Sequence, residues 1–195
     1  MREIISDVIN GKFIIILDDE SRENEGDLVI SGSLVNHESI SLMSKLGGGV
    51  PVVAISQSIA TKLDLKILER RNISENGAMY AQTVDARYGL TGNGCSTHDR
   101  ALTIQTLANP LTTVDEITTP GHVMTVIGHK DGLNARLGHT EASISLMKIA
   151  GFSEVALICE VIGDHGNPLK GISLMKFADY HEIKITTIDN IKSYK

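Results

Sequence analysis

Six of the ten residues from Asp18 to Asp27 carry carboxylates, and they follow an unbroken apolar run, Phe13 to Leu17. An apolar strand that stops in carboxylates gathers several hard oxygen donors at one strand end, the ligand type that Mg²⁺ or Mn²⁺ takes. Arg22 lies inside the run, and its planar fork suits a phosphate or an inner carboxylate. Such a decapeptide taken alone is equally a solvated charged loop; three further polar segments change its meaning. Arg136-Leu137-Gly138-His139-Thr140-Glu141 leads into a helix that Thr140 can cap. The free N–H groups and positive dipole end there attract a phosphate, with Arg136 and the Thr140 hydroxyl as direct donors and His139 as a nitrogen for a metal. Pro120-Gly121-His122 sets an imidazole just before a strand, as a structural hydrogen bonder or as a catalyst. Glu160, in Ile158-Cys159-Glu160, stands in an apolar strand. A carboxylate is costly there unless it is paired, holds a metal, or has a raised pKa suited to a general base.

The two cysteines add little to this chemistry. Cys159 alternates to the opposite strand face from Glu160 and reads as core. Cys95 lies in a Gly-rich loop at a helix start, where a thiolate is favoured, but no base matches it by spacing. GxGxxG, Walker A, HExxH, GxSxG and zinc-finger spacings do not occur. An acidic metal loop, an Arg/His/Thr phosphate site and a strand-borne Glu fit metal-assisted proton abstraction on a small phosphorylated polyol or ketose.

These groups need a scaffold, and the composition supports one. The 195 residues are 42% hydrophobic and 22% charged, enough for one folded domain with a sizeable core. A net charge of −6 gives nucleic-acid binding no support. No apolar stretch reaches the roughly 18–20 residues of a membrane span, and Met1-Arg2-Glu3-Ile4 lacks a signal-peptide core. Two cysteines outside any CxxC pair suit a reducing cytoplasm. Apolar spacing predicts helices over 2–10, 37–46, a stretch ending at Ala108, 140–150, and around Leu174–His181. Asn36 is the expected cap of the second, and Ser96-Thr97-His98-Asp99 a relaxed capping box for the third. Strands are expected at 13–17, 28–30, 50–55, 79–84, 123–127, 155–162 and 183–187, with 57–78 weakly patterned. Helices and strands interleave without a linker or repeat, which predicts one α/β or α+β domain.

Asp18-Asp19-Glu20-Ser21-Arg22-Glu23-Asn24-Glu25-Gly26-Asp27-Leu28 resembles the DDE-x-RENEGDL signature of the 3,4-dihydroxy-2-butanone 4-phosphate synthases of riboflavin synthesis. Four more segments resemble that family in the same order: Val84-Asp85-Ala86-Arg87 with Gly94 to Ile104, Thr119 to Val123, Arg136 to Ala142, and Ile158-Cys159-Glu160. The resemblance implies a single-domain sandwich of helices around a mixed β-sheet, over residues 1–195. It implies conversion of D-ribulose 5-phosphate into L-3,4-dihydroxy-2-butanone 4-phosphate and formate with Mg²⁺ or Mn²⁺, two ions per site, in a homodimer with composite sites. Carried over by position, Glu23 and His139 would ligate the metal, and His122 and Glu160 would be catalytic. Arg22, Glu23, Asp27, Arg136, Leu137, Gly138, His139, Thr140 and Glu160 would contact the sugar phosphate, leaving Asp18, Asp19, Glu20 and Glu25 as supporting or solvated charges. The choice between Glu160 and Asp27 as proton-abstracting base stays open. The chain resembles the monofunctional form, without the GTP cyclohydrolase II domain that family enzymes often carry. It departs from the family at Val52, which replaces a usual cysteine, at Thr119, which replaces an Arg, and in a Tyr88–Gly94 loop one residue longer. A ketose-phosphate isomerase or epimerase, or an inactive binding homologue, would share much of this pattern.

Overall fold

The apolar runs of the sequence become the strands of one mixed sheet, whose central members are covered on both faces. The computed structural model describes residues 1–69, 77–87 and 90–194. In chain order the strands are β1 (Ile14–Leu17), β2 (Gly26–Ser31), β3 (Val52–Ile55), β4 (Met79–Ala86), β5 (Ile117–Ile127), β6 (Val155–Glu160) and β7 (Lys184–Thr187). Their spatial order is β4-β5-β3-β6-β2-β1-β7. The helices are α1 (Arg2–Ile9), α2 (His37–Gly47), α3 (Gln57–Lys62), α4 (Thr97–Ala108), α5 (His139–Ile149), α6 (Gly171–Tyr180) and α7 (Ile188–Ser193). The strand period of two splits the core. Ile15, Leu28 and Ile30 face α2, α4 and α6, whereas Ile14, Ile16 and Val29 face α1, α5 and α7. A strand buried on both faces has no polar side to alternate with, so it reads as a continuous apolar run. Each fully buried Ile or Leu stabilises the fold by about 1.5–3 kcal/mol. The architecture is the expected α+β sandwich. Among the described residues, no helix is long and apolar enough to cross a membrane.

Helix ends follow local chemistry, with two corrections. Asn36 caps α2 as expected: its side chain accepts from Ser39 N at 2.7 Å, and the Ser39 hydroxyl accepts from Asn36 N at 2.9 Å. At α4, Ser96 accepts from Asp99 N at 3.0 Å, but Asp99 does not close the box. Its carboxylate accepts from Gly92 N and Gly94 N instead, and those donors, Gly92 first, hold it below the usual carboxylate range. At α5 the cap position is Gly138, not Thr140, which lies buried in the first turn. Strand 155–162 ends at Glu160, with Val161 and Ile162 in isolated bridges.

Two helices and half a strand lay beyond the sequence pattern. The six-residue helices α3 and α7 are too short for a periodic signal. Strand β5 starts at Ile117 and runs through a cis Thr119-Pro120 bond, pairing with β4 through register shifts. Pro and Gly argue against a strand interior but are at home at bulges. Gly121 donates to Thr83 Oγ1 at 3.1 Å, and a Cβ there would land on the Val84–Asp85 backbone. Gly121→Ala should therefore force the strands apart and cost about 1–3 kcal/mol, read as a lower urea midpoint. An unchanged midpoint would mean that β4 and β5 yield freely. The start of the longer loop, Tyr88 and Gly89, lies outside the described residues, as do residues 70–76 of the weakly patterned stretch.

Candidate active site

Strands β1 and β2 pair antiparallel with Leu17 opposite Gly26, so residues 18–25 form the loop that closes this hairpin at one end of the sheet. Asp18 organises the loop from inside. Its side chain is fully buried and accepts from Arg22 Nη1 at 2.6 Å, Glu23 N at 3.2 Å and Glu25 N at 2.8 Å. Asn24 turns the chain with a φ of 53°, in the left-handed region that Asn tolerates better than most residues. Of the four charges read as supporting or solvated, Asp18 and Glu25 support the loop; Asp19 accepts from Ser21 N, and Glu20 is exposed.

One ligand atom each from Asp18, Glu23 and His139 lies within 4.8 Å of the others. Two carboxylates and an imidazole suit a hard divalent ion, so the residues fit Mg²⁺ or Mn²⁺. Asp18 already serves three donors, which leaves Glu23 and His139 as the better-disposed ligands. His139 Nε2 lies 3.2 Å from the Glu25 carbonyl oxygen. A carbonyl only accepts, so this contact is a hydrogen bond when Nε2 carries the proton, and it fixes the ring beside the two carboxylates. Arg22 Nη1 also touches Glu23 Oε2 at 3.0 Å. The guanidinium balances part of the loop's negative charge.

The α5 N-terminus faces the same end of the sheet, with Thr140 in its first turn. Arg136 is fixed beside it: Nη1 donates to Glu141 Oε2 at 2.6 Å. The other oxygen of Glu141 accepts from His129 N at 3.0 Å, and its side chain is only 1% exposed. The unpaired N–H groups of a first helical turn complete an anion cradle.

Asp27 and Glu160 are partners across the β2–β6 ladder. The burial that the sequence assigned to Glu160 belongs to Asp27. Glu160 is the last residue of its strand and exposed, whereas Asp27 is 6% exposed. Burial pushes the Asp27 carboxyl up to about 6, with the negative charges of Glu160, Glu23 and Asp18 adding to the rise and His139 opposing it. Burial likewise drives the Cys159 thiol to about 12, so it is no nucleophile; Cys95 is exposed.

A cleft of about 620 Å³ collects Arg22, Glu23, Asp27, Arg136, Leu137, His139, Thr140 and Glu160. Gly138 sits between them as the α5 cap, and Val50, Val52 and Tyr80 are among the other residues of the wall. Val52 therefore puts an apolar side chain in the cleft wall. His122 is not in the cleft lining. It stands on β5, half exposed, with Nδ1 2.8 Å from Asp85 Oδ2 and its N–H on Asp85 Oδ1 at 2.9 Å. Sequence reasoning passed over the roles of Glu141 and Asp85, because both act through partners 5 and 37 residues away.

The cleft combines a cation cluster, an anion cradle and a carboxyl that titrates near neutrality. The profile of the family described as 3,4-dihydroxy-2-butanone 4-phosphate synthase matches residues 2–194. The chain is 38% identical over 193 residues to 3,4-dihydroxy-2-butanone 4-phosphate synthase of Neisseria meningitidis serogroup A, covering 99% of this chain and 53% of that protein. It is 36% identical over 197 residues to riboflavin biosynthesis protein RibBA of Aquifex aeolicus, covering 100% of this chain and 48% of the other. The chain thus spans about half the length of these curated relatives. Among solved structures, a 3,4-dihydroxy-2-butanone 4-phosphate synthase in complex with two magnesium ions superposes with a TM-score of 0.90 at 34% identity, over 97% of this chain and 93% of that one. The Candida albicans synthase gives a TM-score of 0.88 at 34% identity, over 99% and 95% of the two chains. This chain belongs to the 3,4-dihydroxy-2-butanone 4-phosphate synthase family.

Proposed function

We propose that the protein converts D-ribulose 5-phosphate into L-3,4-dihydroxy-2-butanone 4-phosphate and formate, a carbon–carbon lyase step of riboflavin biosynthesis. The observation that carries this reading is Asp27, a buried carboxyl raised to about 6 beside the Asp18–Glu23–His139 cluster, in a chain of this family. Mg²⁺ or Mn²⁺ held by Glu23 and His139, two ions per site, would polarise the C2 carbonyl and acidify the C3 proton. Asp27 removes that proton, because its pKa lies nearer the operating pH than that of an ordinary carboxyl. Glu160, exposed across the ladder, holds the sugar hydroxyls and moves protons in later steps. Arg136, Thr140 and the first-turn N–H groups of α5 bind the phosphate, with Leu137 and Gly138 shaping the loop around it. Loss of the C1 hydroxyl as water, ketonisation, and migration of the phosphate-bearing carbon then set up hydrolysis. The water lost from C1 is balanced by the water consumed when C4 leaves as formate.

His122 enters from a second copy of the chain in our reading. The half-exposed His122 and its partner Asp85 lie off the cleft within one protomer, which suits a composite site in a homodimer. The reaction belongs in the cytoplasm, since a sugar phosphate does not diffuse across a bilayer. Incubating the protein with ribulose 5-phosphate should release formate with Mg²⁺ or Mn²⁺ and none with EDTA. A five-carbon isomer without formate would instead identify an isomerase or epimerase, and no product under any condition a binding homologue.

A further inference from the structure

Lys170, at the start of α6, reaches back to the acidic loop from 147 residues away, where its Nζ donates to the Glu23 carbonyl oxygen at 2.7 Å. The same Nζ pairs with the Glu25 carboxylate at 3.0 Å, and a backbone bridge joins Glu25 to Lys170. The base of the lysine is tied down as well, because the Ser173 hydroxyl donates to the Lys170 carbonyl oxygen at 2.6 Å. From inside the loop, the buried Asp18 carboxylate holds the N–H groups of Glu23 and Glu25. Both residues are therefore gripped from opposite sides, and each leads to one ligand of the cation cluster. Glu23 carries its own carboxylate, and the Glu25 carbonyl orients the His139 ring. We propose that Lys170 is a positioning residue that sets Glu23 and His139 together for a divalent cation; this rests on the metal-dependent reading above.

The sign of the effect separates positioning from charge. An ammonium group beside a cation site repels the cation, so simple Coulomb attraction predicts tighter metal binding once Lys170 is neutralised. Positioning predicts the reverse, since partners that orient metal ligands are worth about 10–100-fold in affinity. Mn²⁺ titration of the full chain, followed by the electron paramagnetic resonance of free Mn²⁺, reads the difference without turnover. Lys170→Met and Lys170→Gln should each weaken Mn²⁺ binding about tenfold or more, and Lys170→Arg should restore most of it. Lys176→Met, the same charge change elsewhere on α6, should bind as the parent does. Lys170 is half exposed, so all variants should keep the parental urea midpoint. Saturating Mn²⁺ should also restore much of the turnover of Lys170→Met. Affinity equal to or tighter than the parent's in a folded Lys170→Met or Lys170→Gln would overturn the proposal. A parent protein that binds no Mn²⁺ and releases no formate would overturn the functional reading instead.

Discussion

Replacing Asp27 with Asn should make the metal-free protein more stable at pH 8 and remove nearly all of its turnover. The stability gain follows from the raised carboxyl, at about 6 in the folded chain against an ordinary value of 3.8. Below about 3.8 the group is protonated in both states, and its contribution to stability is fully present. As pH rises toward 6 the unfolded chain releases a proton that the folded chain still holds, so stability falls through that window. Above about 6 the whole cost is present, on the order of 2–3 kcal/mol for a shift of this size. Asn never ionises and escapes the cost. Urea midpoints of parent and variant, both in EDTA, should therefore converge near pH 4 and separate above pH 6. Curves that stay parallel would show that Asp27 ionises without penalty. Turnover should fall by about 10²–10⁴-fold, the usual contribution of a general base. Glu160→Gln makes a sharp contrast. Its carboxylate is exposed, so turnover should drop on that same order with only the small gain in stability that relief of its repulsion on Asp27 supplies. Near-normal formate release from Glu160→Gln would remove it from the catalytic groups.

A site residue that destabilises the resting fold suggests what the acidic loop is for. Asp18, Glu23, Asp27 and Glu160 crowd one end of the sheet, and their repulsion adds to the burial that raises Asp27. The protein answers with cations of its own: Arg22 on Asp18 and Glu23, and Lys170 on Glu25. A divalent ion would relieve the same repulsion more strongly, so metal affinity and part of the cost of ionising Asp27 share one electrostatic origin. This is a local form of the trade-off between activity and stability.

The parts of this site visible in the sequence were those encoded in consecutive residues. The acidic loop and the Arg136–Thr140 turn are contiguous strings, and residues of both line one cleft. Apolar runs such as Ile14–Leu17 and Val155–Cys159 announced buried strands because neither face needed a polar residue. What stayed hidden depends on register. Asp27 and Glu160 could not be ranked until the ladder paired them and left one buried and the other exposed. Lys170 looks like any surface lysine until a bridge sets it on Glu25. The His122–Asp85 pair joins β5 to β4 across an irregular pairing that no periodicity encodes. Family resemblance supplied roles for His122 and His139, and geometry supplied reasons for Asp18 and Glu141.

Glu141→Ala, which removes the buried support behind Arg136, should cause a large loss of stability. Its carboxylate is almost fully buried and satisfies two donors from separate segments, Arg136 Nη1 and His129 N. Removing one partner of a buried ion pair typically costs about 3–5 kcal/mol, because the other charge loses its compensation. Arg136 is 19% exposed and can recover some hydration, so the lower end, about 3 kcal/mol, is expected. The His129 N–H loses its acceptor in the same variant, which adds to the loss. Glu141→Gln keeps an oxygen for His129 N but turns an amide toward the guanidinium, and should fall between Ala and parent. Function should change in a particular way. With Arg136 less firmly held beside the α5 N-terminus, KM for the sugar phosphate should rise more than kcat falls, since the phosphate is remote from the reacting carbons. A double-mutant cycle with Arg136→Met isolates the pair, and a coupling near zero would show that His129 alone explains the loss. A Glu141→Ala protein within 1 kcal/mol of the parent, by urea unfolding at pH 7, would mean that Glu141 is not the strut between the phosphate cradle and the turn at His129.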